Sequence, residues 1–511
     1  MKKTNLAKEH YQRLRLLSCE ELWEEEVAEF DRAESRGRLD RVAVVRAVGV
    51  VFSESGTPEQ QAQAMVWLRG LLNDPEEKVR RYAMTALPKL GGGVREEADL
   101  LNLLAATSGE RERKFVARTL EKVGGSATLS GVPGVRLNAQ TVRKVEANLA
   151  RQENPGEIRF DRFLTTFEGV ELHLHCREGL EELLAEEVRE QTESGGPFRT
   201  NHVRPGCVVI VPHRPFSMGD VYALRCFSSL GFAMDEVGSA PDETDAIANA
   251  IASPNGRRVL EAFTEGPIRY RLEFVSRGHQ RNAVRQVADR VYALCPTLLN
   301  DSRTAPWQFN VRHESGGCAV ELTPRLRPDP RFAYRLGDVP AASHPPLAAA
   351  MARLAGSQDD EVVWDPFCGS GLEIVERKLR GGVSQIFGTD RSADALIAAR
   401  QNLIAVGGEA IPTTLACCDF RDYQTVDGLL PGSLSLIITN PPMGRRVPIP
   451  DLPELMADLF QAASVLLRPG GRLVFANPLS IKPRDSQLRQ VTRLRVDLGG
   501  FACHVEKYVR M

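Results

Sequence analysis

An excess of charge is missing from this chain. Its 511 residues carry 65 Lys and Arg against 67 Asp and Glu. A uniformly basic surface is therefore excluded, and any grip on a polyanion must be a local patch. Paired cysteine motifs are missing too. The ten cysteines are scattered, and only Cys417 and Cys418 are adjacent. With no C-x-x-C, the usual zinc and disulfide frameworks are excluded, and thiols in a reducing compartment are expected. No metal is expected. Long hydrophobic runs are also absent. Met1-Lys2-Lys3-Thr4-Asn5 leads into a charged stretch without the apolar segment of a secretory signal. No apolar run is long enough to span a bilayer, so neither a membrane anchor nor a membrane partner is expected. The reading is of a cytoplasmic chain, and at this length of several domains.

What is there centres on the stretch from Val362 to Pro442. Val362-Val363-Trp364-Asp365-Pro366-Phe367-Cys368-Gly369-Ser370-Gly371 reads as a buried strand running into a Gly-rich turn and then a helix. Gly369 and Gly371 let the backbone pass close to a ligand. The loop lacks G-x-G-x-x-G, so a pyrophosphate does not fit it. A smaller ligand with a carboxylate and an amine does, and S-adenosylmethionine is one. Three further strand ends follow. The strand to Asp390, with Arg391 next, places an acid to accept from ribose hydroxyls. Asp419 is placed to accept from an adenine amine, and Phe420 to lie against the ring. The fourth end carries Asn440-Pro441-Pro442-Met443. Singly, Asp365 or Asp390 reads equally well as a helix N-cap. Four in order, on one side of a doubly wound sheet, read as a ligand site.

Asn440-Pro441-Pro442-Met443 points to chemistry on an aromatic amine. Such an amine is a poor nucleophile, because its lone pair is delocalised into the ring. The Asn440 side-chain oxygen and the Pro441 carbonyl are expected to hold its N–H groups. Pro441 and Pro442 pre-organise the loop.

Residues 1–130 read as helices. Val79 to Gly92 recurs as Glu112 to Gly125, with Leu87 and Leu120 in register, as are Leu90 and Val123. The pattern resembles HEAT-like repeats at the short end of their lengths; an ordinary helical bundle is the plain alternative. Residues 131–160 read as a connector, partly helical around Val142 to Leu149. From 161 to 330 strands and helices alternate. Val170 to Cys176 alternates as a half-buried strand, which puts His173 and His175 on one face. Without a third ligand nearby in sequence, a solvated face is expected there. Met218 to Leu230 reads as a helix. Ile268 to Phe274 reads as a strand, Arg281 to Leu294 as a helix, and the segments on either side of Gly316-Gly317 as a closing hairpin. Residues 331–511 read as the catalytic domain.

A family resemblance rests on these residues. Glu178-Gly179-Leu180-Glu181-Glu182-Leu183-Leu184-Ala185-Glu186-Glu187, Asp365 to Gly371, and Asn440-Pro441-Pro442-Met443-Gly444-Arg445-Arg446 resemble segments of THUMP-containing RNA guanine-N2 methyltransferases. So do the bridges Arg331 to Arg335 and Ala342 to Ala348. The resemblance runs from about Phe163 to the C-terminus and leaves out the helical third. The chain departs from it at Met443, where the family has an aromatic that stacks on the target base, and at Leu372, where it usually has Thr. Glu376 is kept.

The resemblance implies a multidomain chain: a HEAT-like helical region, an α+β ferredoxin-like and THUMP middle region, and an α/β Rossmann-like class I methyltransferase domain. It implies S-adenosylmethionine as cofactor, held by Asp365, Phe367, Cys368, Gly369, Ser370, Gly371, Asp390, Arg391, Asp419, Phe420 and Asn440. It implies structured RNA, tRNA or rRNA, as substrate, methylated at an exocyclic amine, guanine N2 foremost. Arg269, Arg271, Arg277, Arg281, Arg285 and Arg446 are the expected phosphate contacts, and the helical region is expected to meet a protein or RNA partner. N6-adenine or glutamine methylation, or a scaffold that binds the cofactor without turnover, are the alternatives.

Overall fold

The computed structural model describes residues 9–131, 137–234, 237–238, 243–275, 280–314, 317–339, 342–444, 450–479, 481–483 and 487–511. The chain forms two compact units, Met1–Pro155 and Gly156–Met511.

The first unit is helical. Its main helices are α1 (Val42–Ser55), α2 (Pro58–Gly70), α3 (Glu77–Ala86), α4 (Val94–Ala106), α5 (Glu110–Val123) and α6 (Ala139–Glu153). Thr57 starts α2 with a capping box, its hydroxyl accepting from Gln60 N while the Gln60 side chain accepts from Thr57 N. The repeat seen in the sequence appears as matched burial. Val79, Ala83 and Leu87 are fully buried, and so are Val116 and Leu120 at the equivalents of the last two. Glu112 stands where Val79 stands in the other copy, and its buried carboxylate takes the Arg80 guanidinium at 2.5 Å. The expected connector 131–160 divides differently. α6 buries Thr141, Val145 and Asn148, and Asn148 Nδ2 donates to the Glu121 carbonyl of α5 at 2.5 Å. A helix with one face buried on its neighbour belongs to the bundle, and the unit ends only at Pro155.

The second unit holds two large sheets. The main strands of the first are β1 (Leu172–His175), β2 (Phe198–Arg204), β3 (Cys207–Pro212), β4 (Ser229–Ala233), β5 (Ile268–Phe274), β6 (Leu298–Asn300), β7 (Trp307–Glu314) and β8 (Gly317–Pro324), and the short strand Val237–Gly238 pairs with β8. Their order is β6-β5-β7-β8-β4-β1-β3-β2. β7 and β8 form the expected hairpin, with Val311 opposite Val320. The expected helix Met218 to Leu230 is cut short. Only Met218–Tyr222 is helical, and Ser229–Ala233 is β4, between β1 and β8. Leu230 and Phe232 point alternately into the core with Gly231 between them, a period of two that outweighs local helix propensity.

The second sheet comprises β9 (Glu361–Asp365), β10 (Val383–Asp390), β11 (Thr413–Cys417), β12 (Leu434–Thr439), β13 (Leu467–Asn477), β14 (Leu488–Asp497) and β15 (Ala502–Arg510). Its order is β11-β10-β9-β12-β13-β15-β14, parallel except for β15 and β14. Every residue of β12 is buried, as a central parallel strand covered on both faces requires. The helices α7 (Glu181–Glu193), α8 (Arg281–Leu294), α9 (Pro345–Ala355), α10 (Leu372–Leu379), α11 (Ala393–Ala405) and α12 (Leu452–Leu466) are among those of this unit. One hydrophobic cluster runs through both sheets, from Leu172 and Leu184 to Leu347, Val363, Leu436 and Val505. Arg225 reinforces it, donating from Nε and Nη2 to the Glu376 carboxylate at 2.7 and 2.8 Å, while Tyr334 Oη donates to the same group at 2.5 Å. Glu376 is thus a clamp between the two sheets. Among the described residues, no helix is long and apolar enough to cross a membrane.

Candidate active site at the strand ends

β9, β10 and β12 are neighbours, so their C-terminal ends lie side by side. Hydrogen bonds tie those ends together. Thr439 Oγ1, ending β12, donates to Asp365 Oδ1 at 2.6 Å, ending β9. Gly369 N donates to Asp390 Oδ2 at 2.9 Å, and Cys368 N donates to the Thr389 carbonyl at 2.9 Å. The turn between β9 and α10 depends on two left-handed residues, Gly369 (φ 51°) and Gly371 (φ 78°). A Cβ on Gly371 would stand 3.1 Å from that of Ala399, so the glycine also lets α11 close on the loop. Asn402 of α11 is fully buried, and its Nδ2 donates to the Ser370 carbonyl at 2.8 Å. That support was not visible in the sequence, where Asn402 is one polar residue in an apolar helix.

The electrostatics are acidic and dry. Asp365 and Glu373 are buried. Burial, then the neighbouring Glu373, pushes the Asp365 carboxyl well above the usual carboxylate range. Burial raises Glu373 also, and it lifts the Cys368 thiol so far that Cys368 is no nucleophile. Three buried oxygens at these strand ends have no partner among the described residues: Asp365 Oδ2, Ser370 Oγ and Asn440 Oδ1. Unpaired buried acceptors cost free energy, so their presence at one set of strand ends marks where a ligand would supply partners.

The other expected residues are placed as follows. Both Asp390 oxygens already accept backbone N–H groups, from Gly369 and Ser392 at 2.9 Å. Each carboxylate oxygen has lone-pair capacity left for a hydroxyl. Arg391 is exposed. Asp419 caps the turn after β11, accepting from Arg421 N at 3.0 Å. Phe420 is buried, its ring 4.8 Å from that of Phe367, which stays half-buried. Pro441 is buried, and Pro442 and Met443 are half-buried. Leu372 is buried among Ile386, Leu396 and Ala399, an apolar setting that suits Leu.

Of the expected phosphate contacts, Arg277 and Arg446 lie outside the described residues. Arg281 and Arg285 are exposed on α8. Arg271 pairs with Glu273 at 2.9 Å. Arg269 is buried, so the structure does not present it to solvent. Arg325 and Arg327 join Arg271 instead, since burial first, then Arg271 and Arg327, lower the Arg325 guanidinium.

The two histidines are not on a solvated face. Glu321 of β8 reaches across β4 to them, its Oε1 2.6 Å from His173 Nδ1 and 3.1 Å from His175 Nε2. Gly231 on β4 makes room, since a Cβ there would meet that carboxylate at 3.1 Å. Arg312 donates to Glu321 Oε2 at 2.9 Å. Sequence separation hid this partner, which lies 146 residues from His175. Among the described residues, this trio and Glu243, His313 and Cys318 are the groups with donor atoms close enough to share an ion.

Comparison with known proteins agrees with this geometry. Residues 333–500 match a family model described as RMKL-like, methyltransferase domain. A tRNA (guanine(6)-N2)-methyltransferase of Thermus thermophilus is 32% identical over 180 residues, which are 34% of this chain and 50% of that protein. The chain therefore spans about half the length of this curated relative. The crystal structure of TrmN from Thermus thermophilus superposes with a TM-score of 0.51 at 21% identity, over 67% of this chain and all of that one. The C-terminal region of the second unit thus has a class I methyltransferase-like α/β fold, preceded in the chain by a helical unit.

Proposed function

We propose that this protein is an S-adenosylmethionine-dependent RNA methyltransferase that modifies guanine N2 in tRNA or rRNA. The observation that carries the reading is the Asn440 oxygen, buried and unpaired at the end of β12 beside the Gly-rich turn. The cofactor fits the residues present. Asp365 Oδ2 is free to take an ammonium, Ser370 Oγ to donate to a carboxylate, and Asp390 has lone pairs left for ribose hydroxyls. A cationic ligand also relieves the repulsion that raises Asp365 beside Glu373. When bound, the cofactor supplies an electrophilic methyl group.

The chain's own residues do the rest. Asn440 Oδ1 and the Pro441 carbonyl accept the N–H bonds of the target amine, holding its lone pair toward the methyl without protonating it. The base must leave its stack to reach this depth, and Met443, half-buried beside Pro442, offers it a sulfur contact in place of an aromatic face. The name of the curated relative supports guanine N2 over N6-adenine or glutamine. Exposed Arg281 and Arg285, with the Arg271, Arg325 and Arg327 group, support phosphate contacts on the first sheet's region, which we read as ferredoxin-like and THUMP-like. The helical unit is read as a HEAT-like interaction module for a protein or RNA partner, and the whole as cytoplasmic.

Calorimetry with S-adenosylmethionine, then methyl transfer to total RNA read by nucleoside mass analysis, tests this. N2-methylguanosine is the expected product. N6-methyladenosine would redirect the substrate assignment, and cofactor binding without transfer to RNA would overturn the enzymatic reading.

A further inference from the structure

Asn440 has a side chain that can face the cleft with either its oxygen or its amide nitrogen. Only the oxygen can accept an amine N–H. Something must therefore fix which way the amide points, and the neighbouring side chains do so. Asn440 Nδ2 donates to Ser343 Oγ at 2.8 Å. Ser343 Oγ in turn donates to Glu373 Oε1. Ser343 is in the segment just before α9, and Glu373 is in the first turn of α10. We propose that Ser343 and Glu373 are positioning residues that lock the Asn440 amide with its oxygen toward the substrate amine, a role that rests on the proposed methyl transfer.

The argument is one of donors and acceptors. A hydroxyl has one proton. Glu373 Oε1 accepts the hydrogen bond from the Ser343 hydroxyl, so that proton is used. The Ser343 oxygen is then left as an acceptor and can face only the amide NH2 of Asn440. By exclusion, Oδ1 turns away, and it is that atom which is buried without a partner. Glu373 sits at a helix N-terminus, where the dipole favours the anion. Buried at this depth, the carboxylate holds one geometry rather than sampling several. The relay spans three separate elements: the segment before α9, α10 and the end of β12.

The test uses the full-length protein and variants that separate hydrogen bonding from packing. Ser343→Ala and Glu373→Met remove the relay, whereas Ser343→Thr and Glu373→Gln keep a hydroxyl and an acceptor. With total RNA, the first pair should lower kcat on the order of tenfold or more, as for a lost orienting group. KM for RNA and the calorimetric Kd for S-adenosylmethionine should stay within about twofold. The second pair should recover most of kcat. Glu373→Met also removes a buried carboxyl, so its Tm should hold or rise. A fall in kcat with a stable fold is what a merely structural role does not produce. A second readout needs no turnover. In protein labelled with 15N at asparagine, the Asn440 side-chain NH2 pair, identified by its loss in Asn440→Asp, should shift and exchange faster in Ser343→Ala. Wild-type kcat in both Ser343→Ala and Glu373→Met would overturn the relay. If the wild-type protein methylates no RNA, the proposed function fails, and an unchanged NH2 pair in Ser343→Ala would overturn the relay separately.

Discussion

Each sheet of the second unit gathers a polar cluster on residues far apart in the chain, and the two clusters end differently. On the first sheet, Glu321 meets His173, His175 and Arg312, and its carboxylate is satisfied by them. At the strand ends of the second, Asp365, Ser370 and Asn440 keep oxygens that none of the described residues pairs. Buried titratable groups alone therefore do not distinguish a site. What distinguishes it is three unsatisfied oxygens gathered at one set of strand ends, whereas lone ones such as Tyr270 Oη and Ser464 Oγ lie elsewhere, and a ligand at the gathered set has something to gain.

The sharpest way to break this contrast is Asn440→Ala. Cofactor affinity should remain near wild type while methyl transfer falls by on the order of 10²-fold or more, with Asn440→Asp retaining more activity than Asn440→Ala. Rapid-quench transfer with labelled cofactor measures it, and a wild-type rate would remove Asn440 from the chemistry. Glu321→Ala is the converse experiment. It should cost about 2 kcal/mol of unit stability by leaving two half-buried imidazoles without their acceptor, and leave cofactor affinity unchanged. Urea unfolding with a parallel calorimetric titration would show whether the two clusters are as separate as their partners imply.

Asp390→Ala comes next. It removes both a ribose acceptor and the group that holds Gly369 N, so cofactor binding should weaken by about tenfold. Unchanged affinity would take Asp390 out of the site.

The first cluster also sets a pH window. Burial opposes the charged His175, but Cys207 and Glu321 outweigh it and push the imidazole up to about 9. Burial works against the Glu321 charge likewise, and bonds from His173 and His175 outweigh it, holding the carboxyl below its usual range. A raised histidine contributes stability in full below its unfolded value of about 6.5 and loses it as pH rises through the folded value. A lowered carboxyl contributes above its unfolded value of about 4.3 and loses it as pH falls. Tm should therefore be level from about pH 5 to 6.5 and decline from there through about 9. His175→Gln should flatten that alkaline decline. The smallest effect is expected from deleting residues 1–155. The second unit has its own core, so a chain beginning at Gly156 should fold and bind S-adenosylmethionine with unchanged Kd. Loss of cooperative unfolding in that chain would make the helical unit part of its fold.

Local features were legible in the amino-acid order itself. The apolar run ending at Asp365, the two left-handed glycines and the closing hairpin around Gly316-Gly317 all follow from short-range periodicity and backbone sterics. Elements whose identity depends on neighbours were not. Met218 to Leu230 has a helical pattern, yet β1 and β8 claim Ser229–Ala233 as a strand between them. α6 reads as part of a connector because its buried face is short and partly polar, and only α5 beside it shows that face covered.

The candidate site divides in the same way. Sequence by itself determined the Gly-rich turn, the Asn-Pro-Pro end and the order of the strands that carry them, since each is a matter of a few neighbouring residues. Tertiary structure alone decided which polar atoms find partners. Ser343 meets Asn440 across 97 residues, Glu321 meets His175 across 146, and Arg225 meets Glu376 across 151. Hydrogen bonds act over about 3 Å, and a linear pattern carries no measure of which distant residues the fold brings within that reach.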